Sequence, residues 1–282
     1  MIPVAFEYER ATSVDDALAK LAASNGGKLI AGGHSLVPLM KLRLSEPVRL
    51  VDIARIPGLS GIKDVGGGRI EIGATTVYSD IAGSQLLRDT CPMIAEAAAE
   101  VGDPQVRNRG TIGGSIAHSD PAADFPAVML ALDADIQLIG RGGPRSVKAS
   151  AFFRGFYDVD LGPGELIVGV QFDAVRAASY VKLHQRASHY AVVGVAAVLD
   201  MKEGLIQSAR LGLTGATTHA VRLTGVEKAL AGRKAGEIAA ACEGAAADVA
   251  DLNGDLHASA DYRKAMIPVF ARRAIERALA RA

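Results

Sequence analysis

Hydrophobic and polar positions along the first 57 residues predict short strands around one amphipathic helix. In "SVDDALAKLAAS", Ser13 stands at a cap position, two acids follow in the first turn, and apolar residues recur three and four positions apart from Val14 to Leu21. The segments at residues 6–10, "KLIAG" and "RLVDI" are predicted to be strands. We therefore expect a small β-α-β unit over residues 1–57.

The middle of the chain, residues 58–175, has the pattern of a second unit. The segment "RIEI" alternates charged and apolar residues next to three consecutive glycines, which predicts a half-buried hairpin. Two helical patches are expected over residues 79–101, and an Ala- and Leu-rich helix that runs into a strand is expected before residue 140. A loop between strands completes this unit.

The last part of the chain, residues 176–282, begins with the strand-like segments "YVKLHQR", "AVVGVAAVLDM" and "IQSARLGLTGA". Their close spacing predicts an antiparallel sheet, followed by Ala-rich helices over residues 225–231, 235–250 and 260–280. One face of the last helix is expected to pack on the sheet through Tyr262, Met266, Val269, Phe270 and Arg273. The predicted fold class is α+β, with units at 1–57, 58–175 and 176–282.

Charge and cysteine content narrow the function classes. Lys plus Arg and Asp plus Glu both number 31, so the chain has no net positive charge to attract nucleic acid or an anionic membrane. No signal-type start and no uncharged apolar run of about 18 residues occur, so we expect a cytoplasmic protein without a membrane span. With only Cys91 and Cys242, and with no His ligand spacing, we expect no metal site within the chain.

Two glycine pairs carry the candidate chemistry, one in "LIAGGHSLVP" at residues 29–38 and one in "GTIGGSIAHSD" at residues 110–120. Each pair offers backbone N–H groups with no Cβ nearby, which is what a nest for phosphate oxygens requires. A single glycine pair is most simply a tight turn. Two pairs flanked by hydroxyls favour a diphosphate ligand held by two loops as strongly as they favour two simple turns. The G-x-G-x-x-G fingerprint of a Rossmann site does not occur.

Several polar residues admit more than one interpretation. Asp124, at the mouth of a predicted helix, is either a helix cap, which the sequence favours, or an acceptor for sugar or ribityl hydroxyls. Arg107 and Arg109 fit a nucleotide clamp, a docking edge or a solvated loop. His34 and Ser35 are adjacent, but no G-x-S-x-G elbow occurs, so a hydrolase is disfavoured.

At the level of whole motifs the sequence resembles a known family. The segments "AGGHSLVPLMKLRLSEPVRLVDI", "IGATTVYSDI" and "DPQVRNRGTIGGSIAHSDPAADFPA", with a late "DYR", are similar to those of the FAD-binding medium subunits of molybdenum hydroxylases, above all of carbon monoxide dehydrogenase. The resemblance covers essentially the whole chain. It implies a bipartite FAD-binding fold of the vanillyl-alcohol-oxidase/PCMH type, followed by a C-terminal α/β domain with an antiparallel sheet and helices.

The resemblance also implies cofactor-binding residues. The first diphosphate loop is matched by Ala31, Gly32, Gly33, His34 and Ser35, and the second by Thr111, Ile112, Gly113, Gly114 and Ser115. Asp124 matches the acid that contacts the flavin, and Val101 and Ile167 match apolar contacts. Lys182 and Tyr190 match positions near the isoalloxazine ring. In this assignment Lys182 supplies a positive charge that stabilises reduced anionic flavin. Tyr190 controls stacking and access, with strand-end packing as the alternative. No residue is assigned as catalytic.

Two places depart from the family pattern. Ser115 stands where relatives commonly have Asp or Asn, and "QRASHY" replaces the commoner "RRxGDY". The first departure weakens one expected polar contact without threatening the loop, and the second affects the details around the acceptor face of the flavin.

The resemblance implies the FAD-containing electron-transfer subunit of a heterotrimeric molybdenum hydroxylase. A large subunit would oxidise the substrate at a molybdenum-pterin cofactor, and a small subunit would pass electrons through two [2Fe-2S] clusters to FAD and on to an external acceptor. A dimer of heterotrimers that oxidises carbon monoxide is expected, with N-heteroaromatic or aldehyde substrates as alternatives. A self-contained flavin oxidase and a binding module that has lost FAD are the competing functions.

Overall fold

Three sheets, each formed by a separate stretch of the chain, and one small hairpin organise the fold. The computed structural model describes residues 1–247 and 249–282. The strands are β1 (Glu7–Arg10), β2 (Lys28–Ile30), β3 (Arg49–Asp52), β4 (Ile62–Gly66), β5 (Arg69–Gly73), β6 (Asp135–Gly140), β7 (Gly143–Lys148), β8 (Phe153–Gly155), β9 (Asp158–Val159), β10 (Leu166–Asp173), β11 (Ala178–His184), β12 (Ala191–Lys202), β13 (Leu205–Thr214) and β14 (Val221–Arg222). The helices are α1 (Val14–Ala23), α2 (Leu36–Lys41), α3 (Tyr78–Gly83), α4 (Gln85–Thr90), α5 (Pro92–Glu100), α6 (Pro104–Arg107), α7 (Ile112–His118), α8 (Asp124–Leu132), α9 (Ala149–Phe152), α10 (Thr224–Leu230), α11 (Ile238–Glu243) and α12 (Ala260–Leu279).

The first sheet is parallel, in the order β1-β3-β2, with α1 and α2 as its connections. The predicted α1 is confirmed: the Ser13 Oγ accepts a hydrogen bond from the Asp16 N–H at 3.0 Å and so caps the helix. Val51 in the central strand is fully buried. Because the strands run in the same direction, the glycine pair that follows β2 lies at the carboxyl edge of this sheet.

The second sheet is antiparallel, in the order β4-β5-β10-β6-β7. The predicted hairpin is confirmed: β4 and β5 pair antiparallel, Ile70 and Ile72 of β5 are buried, and the alternating Arg69 and Glu71 are partly exposed. The expectation of two helical patches is wrong: Ser84 caps α4 and Pro92 starts α5, so three helices form. The expected loop after β7 contains α9 and the β8-β9 hairpin.

The C-terminal sheet is antiparallel, in the order β11-β12-β13-β14, as predicted, and α12 packs on β11 and β12. The predicted face of α12 is only partly correct: Phe270 is buried in the core, but Tyr262 and Val269 are 48% and 36% exposed. The buried stripe instead contains small residues such as Ala271 and Ala274, which allow the helix to approach the sheet closely. The middle helix is shorter than 235–250, since only a 3₁₀ turn and α11 form; Asp248 lies outside the described residues.

The C-terminal sheet holds the chain just before α8. The Thr214 Oγ1 donates to the carbonyls of Pro121 and Ala123 at 2.9 and 2.8 Å, and the Gly215 N–H donates to the Pro121 carbonyl at 2.8 Å. The start of α8, where Asp124 stands, is therefore fixed by both the second and third units. Within the described part of the chain, no helix is long and apolar enough to cross a membrane.

Candidate cofactor site

A cavity of about 1340 Å³ lies where the three units meet. Its walls come from the chain around the first glycine pair, from the starts of α7 and α8, from the segments 140–145 and 161–167, and from the turn between β11 and β12. The volume exceeds the roughly 300–1,000 Å³ of pockets that hold drug-sized ligands. The cavity therefore suits a larger ligand.

The first glycine pair forms a turn with unpaired backbone donors. Gly33 has a φ of +74°, a left-handed conformation that favours glycine. Over the described residues, the N–H groups of Gly32, Gly33, His34 and Ser35 find no protein acceptor. Successive N–H groups of this kind form a concave site for an anion. The first segment therefore has the donors that a phosphate group requires.

The second glycine pair is not in a loop, which corrects the expectation. Residues 112–118 form α7, and the Thr111 Oγ1 caps it by accepting from the Gly114 N–H at 3.2 Å. The Ile112 N–H donates to the Thr76 carbonyl at 3.1 Å, and the Gly113 N–H donates to the Ala74 carbonyl at 2.8 Å. These donors are already used by the protein, so the two glycine segments are not equivalent.

The first glycine of each pair serves close packing. A Cβ on Gly32 would lie 2.1 Å from the Arg109 carbonyl oxygen, and a Cβ on Gly113 would lie 2.7 Å from the Ala74 carbonyl oxygen. Gly114 differs, because a Cβ there would meet only the Thr111 side chain, at 2.9 Å. Gly114 is exposed and lines the cavity.

Most residues assigned by resemblance lie together on the wall of this cavity, namely Ala31, Gly32, Gly33, His34, Ser35, Val101, Thr111, Gly113, Gly114, Ser115, Asp124, Ile167 and Tyr190. Two do not. Ile112 is fully buried in the core of the second unit, and the side chain of Lys182 is fully buried next to Asp124. Arg107 and Arg109 are also absent from the wall, and Arg107 instead donates to the Val101 and Gly102 carbonyls at 3.0 and 3.1 Å.

Asp124 is a buried ion-pair partner, and the helix-cap interpretation is wrong. The cap position of α8 is Ala123, and the carboxylate of Asp124 lies 3.0 Å from the Lys182 Nζ and accepts a hydrogen bond from the Tyr180 hydroxyl. Burial raises the pKa of the Asp124 carboxyl, and the Lys182 ammonium and the Tyr180 hydroxyl oppose that rise. Tyr180 and Lys182 are more than fifty residues away in sequence, so no local pattern predicts this pairing.

Tyr190 ends the turn between β11 and β12. The Gln185 Oε1 organises this turn by accepting from the N–H groups of Ala187 and Ser188 at 2.7 and 2.6 Å. His189, which stands in the "QRASHY" departure, adopts a left-handed φ of +61°. The Tyr190 side chain is 46% exposed and lines the cavity, so it does not pack as a strand-end core residue.

Three features of the wall were not predicted as functional from the sequence. The Thr75 Oγ1 is buried and has no hydrogen-bond partner among residues 1–247 and 249–282, and Tyr78 stacks on Phe125 with ring centroids 5.2 Å apart. Arg145 joins the 161–167 segment by donating from Nε and Nη2 to the Glu165 carboxylate at 2.7 Å each. Thr75 and Tyr78 lie within "IGATTVYSDI", and membership of that motif was the one available signal.

Replacing Glu165 with Gln should lower stability at neutral pH but not in strong acid. Hydrogen bonds from Arg145 lower the pKa of Glu165 from 4.5 to about 2. A carboxylate with a depressed pKa in the folded chain contributes stability that is complete above its unfolded pKa and lost as pH falls through the folded value. Urea unfolding should therefore show a difference in the free energy of unfolding between the two proteins at neutral pH, and this gap should close between pH 4.5 and about 2. A gap that stays constant across this window would contradict the pairing.

The residues present fit FAD. Four backbone N–H groups without protein acceptors suit its diphosphate, and the unpartnered Thr75 hydroxyl suits one of its polyol groups. The cavity volume accommodates a dinucleotide. The donor set and the size of the site thus agree with the cofactor that the sequence motifs imply.

Comparison with known proteins identifies the family. Residues 4–172 match the family model described as the FAD binding domain in molybdopterin dehydrogenase, and residues 178–278 match the CO dehydrogenase flavoprotein C-terminal domain. The chain belongs to this flavoprotein family. FAD is its cofactor, and it is an oxidoreductase subunit with the bipartite FAD-binding fold and the C-terminal domain that the motifs predicted.

Individual relatives of this flavoprotein cover its whole length. The carbon monoxide dehydrogenase medium chain of Hydrogenophaga pseudoflava is 40% identical over 100% of this chain and 99% of its own. The 6-hydroxypseudooxynicotine dehydrogenase complex subunit alpha of Paenarthrobacter nicotinovorans is 38% identical over 100% and 97%. A solved structure of the carbon monoxide dehydrogenase from Hydrogenophaga pseudoflava superimposes with a TM-score of 0.95 at 40% identity, with full coverage of both chains.

Proposed function

We propose that this flavoprotein is the electron-transfer subunit of a heterotrimeric molybdenum hydroxylase. In this function it takes electrons from [2Fe-2S] clusters of a small partner subunit and passes them to an external acceptor. Bound FAD would supply redox chemistry in steps of one or two electrons. The observation that carries the proposal is the cavity of about 1340 Å³ with a row of four unpaired N–H groups on its wall.

Each wall residue receives a role from its contacts. We assign the N–H groups of Gly32, Gly33, His34 and Ser35 to binding of the diphosphate. Gly114 has no side chain, which allows the ligand to approach the backbone closely. The Thr75 hydroxyl is assigned to a sugar or ribityl oxygen. Since binding and orientation are what the cofactor needs from this chain, no side chain here acts as general acid or base.

The chain is proposed to assemble with a small [2Fe-2S] subunit and a large molybdenum-pterin subunit as a dimer of heterotrimers. Relatives that match it over their whole length are named as a medium chain and as a subunit of a complex. Large apolar side chains in the first unit are well exposed, which supports a protein interface there: Phe6, Tyr8, Leu42, Leu44 and Val48. The two cysteines are free and buried, in keeping with a reducing cytoplasm.

Carbon monoxide is the proposed substrate of the complex, oxidised in the large subunit. The support is the identity of 40% to a carbon monoxide dehydrogenase medium chain over the full length. The identity of 38% to a subunit of a 6-hydroxypseudooxynicotine dehydrogenase complex keeps an N-heteroaromatic substrate as the alternative. The residues of this chain do not discriminate between the two, because the substrate meets a different subunit.

Co-purification with the two partner subunits tests the electron-transfer function. We expect one FAD per chain, and bleaching of its visible absorbance when the reducing substrate is added anaerobically to the complete complex. The chain without the small subunit should keep oxidised flavin under the same conditions. Substrate-dependent bleaching in the isolated chain would contradict the proposal and favour a self-contained flavin oxidase.

A further inference from the structure

Lys182 makes three hydrogen bonds inside the protein. Its Nζ donates to the Glu100 carbonyl at 2.7 Å and to the His189 carbonyl at 2.8 Å, and it lies 3.0 Å from the Asp124 carboxylate. An ammonium group has three N–H donors, so all of them are used. The side chain is fully buried and does not line the cavity. This ammonium therefore has no donor left for a ligand.

The three acceptors belong to three different parts of the cavity wall. Glu100 directly precedes Val101, which lines the cavity, and Asp124 lines it at the start of α8. His189 also lines it and directly precedes Tyr190. One side chain from the C-terminal domain thus fixes the relative positions of wall segments from two units.

The turn that carries Tyr190 depends on this contact more than the other two segments do. Residues 186–190 are all exposed, whereas Asp124 is buried within α8 and Glu100 ends α5. Apart from Lys182, the bonds of this turn run within it, mainly to the side chain and backbone of Gln185. Exposed segments with few hydrogen bonds to the rest of the protein open most easily, so loss of the Lys182 contact should open this turn before it affects the other two segments.

We propose that Lys182 is a positioning residue that holds Tyr190 on the cavity wall through the His189 carbonyl. This inference rests on the proposed function only for its effect on FAD, since the contact itself is independent of the cofactor. It replaces the role expected from the resemblance, in which the Lys182 charge acts on the flavin. Lys182 and Asp124 neutralise each other, so the pair presents no net charge to the cavity.

Limited trypsin digestion measures the position of the turn without FAD. Arg186 is exposed within the turn, and cleavage after it reports how often the turn opens. Lys182→Met should raise the cleavage rate at Arg186 by about tenfold. Arg281→Met is the matched control, because Arg281 also ties the C-terminal domain to α5, through Glu96, but does not contact the turn. Cleavage at Arg186 should be unchanged in this control.

A double-mutant cycle with Tyr190→Ala separates positioning from a general effect on the site. Lys182→Met should weaken FAD binding about tenfold in the wild-type background and less than about twofold in the Tyr190→Ala background. If Lys182→Met does not fold, Lys182→Arg serves in both experiments. It keeps a positive charge beside Asp124, but its planar guanidinium cannot match three diverging acceptors.

The outcomes are distinguishable. Unchanged cleavage at Arg186, or an equal loss of FAD affinity in both backgrounds, would overturn the positioning role while leaving the proposed function intact. Absence of FAD binding in the wild-type chain would overturn the proposed function and the effect on FAD together. Faster cleavage at Arg186, combined with a loss of FAD affinity that occurs only when the Tyr190 side chain is present, would establish the positioning role.

Discussion

Replacing Gly114 with Val should weaken FAD binding about 10- to 100-fold while leaving the fold intact. Gly114 is exposed on the cavity wall in the first turn of α7, and a Cβ there would lie 2.9 Å from the Thr111 Oγ1, so this one hydroxyl must shift. Its φ is not in the left-handed region, so a β-branched residue fits the backbone. Glycine is also a poorer helix former than valine. The added side chain therefore occupies ligand space and displaces the Thr111 hydroxyl that caps α7, but its Cβ meets no other atom within 4 Å.

Equilibrium titration of flavin-depleted protein with FAD, followed by flavin fluorescence, measures this effect. Gly83→Val is the matched control, since Gly83 is a helical and exposed glycine with nothing within 4 Å of its Cβ position and does not line the cavity. The control should bind FAD like the wild type. Equal affinities of the Gly114→Val and Gly83→Val proteins would show that the start of α7 does not contact the cofactor.

Replacing Arg263 with Met should destabilise the chain by about 2–6 kcal/mol, the cost of two buried carbonyls that lose a donor. Arg263 is 3% exposed, and its guanidinium donates to the Val192 and Gly215 carbonyls at 2.8 and 2.6 Å and to the Asp255 carboxylate at 2.6 Å. Methionine fills the space but leaves two carbonyls and one carboxylate without their donor. The cost comes mainly from the two carbonyls, because the Asp255 carboxylate is 47% exposed and is solvated when its partner is removed.

The same substitution reaches the cofactor site through the backbone. Gly215 donates to the Pro121 carbonyl, and this contact helps to hold the start of α8. Thermal unfolding should show a decrease of roughly 2–4 °C in Tm per kcal/mol for a chain of this size. Arg272→Met on the same helix is the control, because the Arg272 side chain is 54% exposed and its ion pair with Glu276 lies on the surface. A Tm equal to that of the control would contradict the role of Arg263.

Local patterns in the sequence predicted the elements whose signals lie within a few residues. The cap at Ser13 and the alternation at Ile70 and Ile72 gave α1 and the β4-β5 hairpin correctly. The second glycine pair was misassigned as a loop, because glycine disfavours helices and only the Thr111 cap and the anchoring to Ala74 and Thr76 overcome this preference.

Contacts between distant parts of the chain could not be predicted in this way. The sequence placed Asp124 correctly at the start of a helix, but its partners Tyr180 and Lys182 come from another domain. On α12 the buried stripe that packs against β11 and β12 combines Phe270 with isoleucines and alanines, and it leaves Tyr262 and Val269 of the predicted face exposed. The cofactor assignment came from whole motifs, which carry information that spacing alone lacks.

The unpaired N–H groups of residues 32–35 give the most direct test of FAD binding between the three units. Amide hydrogen exchange of the chain should be measured with and without saturating FAD. Exchange should slow in a peptide that covers Gly32 to Ser35 and stay unchanged in the Glu203–Gly204 turn, which lies outside the cavity. Equal exchange of residues 32–35 in both states, with FAD bound, would contradict the account.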